Sequence, residues 1–274
     1  MNKSLRLIFL VLFLFLISVG LILNLQDFDN FNDTINNREI NSIEGVAISA
    51  IDIYTLEWNK TWGGLANDNG YGIAADSSGN LFITGDTNSY GAANQDAFLL
   101  KYDSSGNLEW NKTWGGSNGD HGLGIAVDAS GNVFITGYTS SYGAGNQDAF
   151  LLKYDSSGNL EWNKTWGGSL GDFGRGVAVD SSGNIFITGD TNRGTAGPDV
   201  FLLKYDSSGN FQWEKTWGGF ATDIGRGVAV DGSGNVFITG HNNQGGNPGS
   251  GADVFLFKYD SSGIPARFKI LFFT

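Results

Sequence analysis

After residue 30 the apolar residues of this chain gather in short runs of four to eight, broken by Gly, Asn, Ser and Asp, and none shows helical spacing. The order of these runs repeats. Trp58, Trp110, Trp162 and Trp213 each open a W-[NE]-K-T-W-G-G block, at spacings of 52, 52 and 51 residues. A period this long marks a repeat architecture, one supersecondary unit copied along the chain. One period reads G-I-A-A-D (72–76), S-S-G-N, L-F-I-T-G (81–85), a Gly-rich loop, D-A-F-L-L-K-Y-D (96–103), S-S-G-N and L-E-W-N-K-T-W (108–114). The β-branched and aromatic content of the runs predicts four strands per copy. Each D-S-S-G-N segment suits a hairpin loop built on a type I turn: Asp bonds back to the turn backbone and Gly takes the positive φ. The strands therefore run antiparallel, up and down.

The middle strands are apolar on both faces. Phe98, Leu100 and Tyr102 fall on one side, Ala97 and Leu99 on the other, and Phe82 opposes Leu81 and Ile83. Such a sheet must be covered twice, which copies stacked face to face around an axis achieve. The small residues of G-[IV]-A-[AV]-D suit the crowded centre of that stack. A two-sheet sandwich would instead show polar residues alternating through these strands. The expectation is an all-β fold, a β-propeller of four-stranded antiparallel blades. First-strand copies begin at Gly72, Gly124, Gly176 and Gly227, giving four blades over 46–263. Thr55 to Trp62 would then supply the outer strand of the fourth blade and cover its open edge. The tail 264–274 is either a degraded outer strand or the mark of a shortened relative of a larger propeller.

The unit "WNKTWGG…D.G.GIAVDSSGN.FITG.T…DAFLLKYDSSGNL" resembles the SBBP β-propeller repeat over roughly 54–263. The resemblance implies a propeller and extracellular display, and it implies no defined activity. Sialidase propellers are a separate comparison. Their Asp-box has one residue between Asp and Gly, whereas here Asp103 and Gly106 are separated by two, and no singular acid and nucleophile stand out.

Ahead of the repeats, Lys3 and Arg6 precede an unbroken apolar run from Leu7 to Leu23. Residues 1–26 read as a signal peptide or a membrane anchor, either of which delivers the rest outside the membrane, at the cell surface or beyond it. Residues 27–45, rich in Asn and Asp, read as a flexible spacer. With 16 Lys and Arg against 28 Asp and Glu, the formal charge of -12 argues against nucleic acid as a partner. The absence of Cys excludes disulfides, a thiolate nucleophile and Cys-based zinc sites.

The internal comparison of copies separates two rims. The D-S-S-G-N rim is almost invariant, whereas the opposite loops (88–95, 140–147, 192–198 and 241–252) differ, so a ligand is expected there. Asp68, Asp120, Asp172 and Asp223 recur in D-x-G-x-G and would ring the mouth of a central channel. Their oxygens suit a hard cation such as Ca2+, but a loop Asp among glycines more often fixes its own turn, and that assignment is favoured. The same holds for Asp96, Asp148, Asp199 and Asp253. Arg175, Arg193 and Arg226 fall on the variable rim of the last two copies and could clamp a carboxylate or phosphate. The plainer alternative is that Arg175 and Arg226 neutralise Asp172 and Asp223. His121 and His241 read as isolated loop residues. Asn32, Asn59, Asn111 and Asn163 begin N-x-T sequons, candidates for glycosylation if exported. The Trp pairs read as packing between blades rather than as sugar platforms. The function expected is a non-catalytic surface module binding an extracellular protein or glycan, without a required cofactor. A structural cell-envelope scaffold is the alternative, and a glycosidase or lyase is the remote one.

Overall fold

The computed structural model describes residues 56–92, 94–192, 197–243 and 251–265. The apolar N-terminal segment, the spacer with Asn32, Arg193 and residues 266–274 lie outside the described residues. The chain divides into Met1–Leu56 and Glu57–Thr274, and every strand described belongs to the second unit.

The first copy forms β1 (Asp68–Ala75), β2 (Leu81–Thr87), β3 (Asp96–Tyr102) and β4 (Leu108–Trp114). The second forms β5 (Asp120–Val127), β6 (Val133–Thr139), β7 (Asp148–Tyr154) and β8 (Leu160–Trp166). The third forms β9 (Asp172–Val179), β10 (Ile185–Thr191), β11 (Asp199–Tyr205) and β12 (Phe211–Trp217). The fourth has β13 (Asp223–Val230), β14 (Val236–Asn243) and β15 (Ala252–Tyr259). Each copy is one antiparallel sheet with its strands in chain order, four-stranded in the first three and three-stranded in the last. No helix occurs among the described residues. The four-strand expectation holds in the first three copies, while the fourth shows three strands among the described residues.

The turns follow the chemistry read from their sequence. Asp103 Oδ1 accepts the N–H groups of Ser105 and Asn107 at 2.9 and 2.8 Å, and Oδ2 accepts the Asn107 amide at 2.9 Å. Gly106 sits at φ +76°, a conformation that costs any other residue a Cβ clash. These bonds, led by the one from the Asn107 backbone, hold the Asp103 carboxyl below the usual carboxylate range.

Each sheet has a trailing face toward the next copy and a leading face toward the one before. Phe82, Ala97 and Leu99 on the trailing face of sheet 1 meet Val133, Ile135, Phe150 and Leu152 of sheet 2. Phe134, Ala149 and Leu151 meet Ile185, Ile187, Phe201 and Leu203 of sheet 3. Phe186, Val200 and Leu202 meet Val236, Ile238 and Phe255 of sheet 4. The core is thus three buried inter-sheet layers in series, with a fourth cluster of Phe98, Leu100 and Tyr102 on the leading face of sheet 1. At the inner edge the backbones touch: a Cβ on Gly124 would lie 2.7 Å from the carbonyl oxygen of Arg175 and 3.2 Å from Gly176 Cα. The outer strands add aromatic clasps, with Trp114 4.7 Å from Phe150 and Trp166 4.6 Å from Phe201, centroid to centroid.

Among the described residues the series is open at both ends. β1 packs on β5, β5 on β9 and β9 on β13, with no comparable contact joining β13 to β1. Leu99, Leu151 and Leu202 are each 1% exposed, while Leu256 at the same register of sheet 4 is 69% exposed and Val254 is 84% exposed. Ile73, on the leading face of sheet 1, is 66% exposed.

The described part of the segment carrying Trp58 and Trp62 is not paired with β15, and the fourth sheet has three strands among the described residues. Its Trp62 packs on sheet 1. Trp62 sits 4.8 Å from Phe98 and 5.0 Å from Tyr90, matching Trp114 on Phe150 and Tyr142 at 4.7 and 5.2 Å. The segment occupies the place of a preceding copy's outer strand, because the ring of Trp62 finds on Phe98 the same apolar seat that every later Trp finds one sheet onward.

Candidate functional site

The recurring Asp residues at the entry to each inner strand are committed to their own loops. Asp120 is fully buried and accepts Gly116 N–H at 2.9 Å, Ser141 Oγ–H at 2.7 Å and the Thr139 hydroxyl. Asp68 repeats this with Gly64, Ser89 and Thr87, and Asp172 with Gly168 and Thr191. Asp223 keeps the Gly219 N–H at 3.1 Å, but Asn242 stands where the other copies have Thr. Burial, with the charge of Asp199 beside it, accordingly raises the Asp223 carboxyl above its ordinary range despite the Gly219 bond. The second set behaves alike, Asp96 and Asp148 accepting Ala92 and Gly145 N–H. Asp199 and Asp253 occupy the same entry to the third strand. Among the described residues no group of three or more His, Asp or Glu converges as a metal site would require.

Chemistry gathers instead one step into the inner strands. In D-x-G-x-G the residue between the glycines is an extra one, opposite no partner on the neighbouring strand: Tyr71, Leu123, Arg175 and Arg226 are the bulges of β1, β5, β9 and β13. A bulge twists the strand and re-aims its side chain. Arg175 thereby reaches across to the buried carboxylate of Asp190 and also lies 5.5 Å over the ring of Phe173. Asp172, the partner anticipated for Arg175, is occupied by its loop. In sheet 1 the equivalent pair is Tyr71 and Asp86. Burial raises the Tyr71 phenol above its ordinary range, with its hydrogen bond to Asp86 and that residue's charge acting in the same direction.

These side chains run from sheet to sheet as one row. Asp86, 1% exposed, receives Asn69 Nδ2 at 3.2 Å, and His121 Nδ1 of sheet 2 stands 3.2 Å from its Oδ1, within ion-pair reach but out of hydrogen-bond alignment. His121 stacks on Tyr138 at 4.5 Å, and Tyr138 meets Phe173 of sheet 3 edge-on at 4.9 Å. Burial, with Asp86 nearby, raises the Tyr138 phenol, and Arg175 partly offsets it. The row Asp86, His121, Tyr138, Phe173, Arg175, Asp190 therefore runs from a carboxylate through three rings to an ion pair across three sheets. Arg226 is exposed at its continuation in sheet 4. Such a surface can hydrogen-bond polar groups and stack planar ones.

Of the residues anticipated from sequence, Arg175 belongs to this row, Arg226 lies at its end, and Arg193 falls outside the described residues. Asp68, Asp120, Asp172 and Asp223 sit beside the row, turned into their loops. His121, read as an isolated loop residue, is a member. Asp86, Tyr138 and Asp190 escaped notice, although the positions 86, 138, 190 and 241 hold Asp, Tyr, Asp and His where the surrounding I-T-G repeats without change. Asn59, Asn111 and Asn163 are exposed on the outer rim. A separate cleft of about 460 Å³ lies between the outer strands of sheets 2 and 3, lined by Trp166, Tyr205, Phe211 and Glu214. Trp166 Nε1 donates to Glu214 there at 3.1 Å.

The family model described as a beta-propeller repeat, SBBP, matches residues 61–91, 165–194 and 217–243. The chain carries SBBP beta-propeller repeats. Among curated proteins, these repeats are similar to the regulatory protein FlaEY of Caulobacter vibrioides, 29% identical over 141 residues, which is 47% of this chain and 14% of that protein. They are also similar to an uncharacterized WD repeat-containing protein of Acanthamoeba polyphaga mimivirus, 28% identical over 130 residues, 41% of this chain and 9% of that protein. The chain thus spans a small part of both relatives. Among solved structures, the SBBP unit is similar to a protein of unknown function from Bacteroides caccae at TM-score 0.46 and 10% identity, over 72% of this chain and 59% of that one. The beta-propeller domain of the Trilobed protease from Pyrococcus furiosus gives TM-score 0.43 and 9% identity, over 73% and 58%. Likeness at this level carries nothing about activity.

Proposed function

We propose that the SBBP unit is a non-catalytic binding module of four consecutive blades, displayed outside the cell, whose variable rim recognises an extracellular protein or glycan. The observation that carries this reading is the row from Asp86 to Asp190. The sheets are near copies, so folding alone asks for the same residues in each, yet at these positions the copies depart from one another and the departures adjoin. Recognition is favoured over catalysis because both row carboxylates are engaged by neighbours, Asp86 by Asn69 and His121 and Asp190 by Arg175. The bulge residues Tyr71 and Arg226 present the exposed donors.

The test is binding of the full-length protein to a panel of glycans and cell-surface proteins, beside the Tyr71→Ala, Arg226→Ala and Tyr138→Ala variants. Retained circular dichroism with binding lost in at least one variant is the expected outcome. A ligand whose affinity is unchanged in all three, or no ligand across the panel, would place recognition elsewhere or leave the scaffold alternative.

A further inference from the structure

Two departures of the third copy meet in the cleft between the outer strands of sheets 2 and 3. Phe211, which pairs Tyr205, stands where Leu108 pairs Tyr102 and Leu160 pairs Tyr154. Glu214, which pairs Leu203, stands where Asn111 pairs Leu100 and Asn163 pairs Leu152. Both line the cavity of about 460 Å³ together with Trp166 and Tyr205, whose residue types recur in every copy. Phe211 stands edge-on to Tyr205 at 5.7 Å and is 49% exposed. Glu214 receives Trp166 Nε1 at 3.1 Å, in an exposed bond that adds little to folding. The acid has changed place to reach it: Glu109 and Glu161 pair Lys101 and Lys153 at 2.8 and 2.9 Å, whereas the third copy has Gln212 at that position. Packing of the repeat asks for neither change, since the first two copies form the same sheet without them.

We propose that this cleft is a binding site for a neutral oligosaccharide, separate from the row on the inner strands and independent of what the variable rim binds. The C–H groups of a sugar ring carry slight positive charge and seek aromatic π faces, and Trp166, Tyr205 and Phe211 bring three rings to one cavity. Its hydroxyls need fixed polar partners. A carboxylate has about four lone-pair sites, so Glu214 can hold the indole and still receive a hydroxyl, while Lys164 and Asn210 of the same lining can donate. The volume falls within the range of about 300–1,000 Å³ ordinary for small-ligand sites. A second cavity of about 330 Å³ adjoins it across Trp166 and Glu214, lined by Ser169, Thr191 and Asn192. The groove thus passes from rings to hydroxyl and amide groups, which suits several linked sugar units rather than one. The net charge of -12, with Glu214 in the cleft, disfavours an acidic chain.

Phe211→Leu and Glu214→Asn together restore what the first two copies carry, so the double variant keeps side chains that this sheet already accommodates. The full-length protein, in a detergent without a sugar headgroup, is titrated by calorimetry with cellotriose, maltotriose, mannotriose and tri-N-acetylchitotriose, and with sialyllactose as the acidic control. The expected result is that at least one neutral trisaccharide binds once per chain. The double variant should lose about tenfold or more in affinity for it with an unchanged thermal melt, and Tyr138→Ala should keep it. If the double variant melts lower, Glu214→Gln, which preserves the shape of the side chain, carries the same expectation. Binding of none of the neutral trisaccharides, or of sialyllactose alone, overturns the proposal. Unchanged affinity in the variant overturns it as well; if Tyr138→Ala then abolishes that binding, the sugar belongs to the inner row, and the rim reading stands without this site.

Discussion

Replacing Leu151 by Ala and, separately, Leu256 by Ala makes one truncation at one register position of two sheets. Leu151 is 1% exposed and lies in the layer with Phe134, Ile185, Ile187 and Phe201; Leu256 is 69% exposed. Removing three buried carbons at about 0.8 kcal/mol each forfeits about 2.4 kcal/mol of transfer free energy. The unrelaxed cavity raises the total to about 3–5 kcal/mol. Leu256 keeps less than a third of its surface from water, so the same truncation there costs about 0.8 kcal/mol or less. Urea unfolding followed by Trp fluorescence, at protein concentrations low enough to exclude association, reads the difference. With a slope of about 2 kcal/mol/M, Leu151→Ala should lower the midpoint by about 1.5–2.5 M and Leu256→Ala by less than about 0.5 M. Equal losses would falsify the open series, since they would require sheet 4 to be covered as sheets 1 to 3 are.

Asp120→Asn removes a carboxylate that holds three donors, and should cost about 2 kcal/mol or more, whereas Asp223→Asn relieves a buried charge held by one loop N–H and should leave thermal stability unchanged or raise it at neutral pH. Acid should weaken the turn rim. The Asp103, Asp155 and Asp206 carboxyls are lowered from 3.8 mainly by backbone hydrogen bonds, so their stabilisation is complete above that value and disappears as pH falls through their folded pKa. Asp223 runs the other way, its penalty vanishing as it protonates; a stability that rises uniformly on acidification would contradict the turn assignment. Gly124→Ala should lose about 1–3 kcal/mol by overpacking against the Arg175 carbonyl, and Gly232→Ala, with open space around it, should lose none beyond error in the same melt.

What was legible in the sequence is what depends on neighbours in the chain. The D-S-S-G-N turns are local hydrogen-bond chemistry, and the apolar runs on both sides of Phe82 and Phe98 demand two covers per sheet whatever the angle between them. The fate of the recurring Asp residues was also near the surface, since glycines on both sides leave backbone donors within reach. The bulges were not. Nothing local says that Arg175 turns from Asp172 to Asp190; that follows from an extra residue opposite Thr188 and Gly189. Likewise Asp86 and His121 lie 35 positions apart and meet only because sheet 2 stacks on sheet 1. The seat of Trp62 was not legible for a related reason. Its block is the same in every copy, so the pattern identifies an outer strand without saying on which sheet's apolar face it rests.

Hydroxyl-radical footprinting of the dilute protein reads the central claim most directly, because it reports side-chain exposure residue by residue. Leu99, Leu151 and Leu202 should stay unoxidised in the folded protein while Leu256 and Val254 oxidise rapidly. Protection of Leu256 equal to that of Leu151 in a monomeric sample would show that the fourth sheet is covered within one chain, and the open series described here would be wrong.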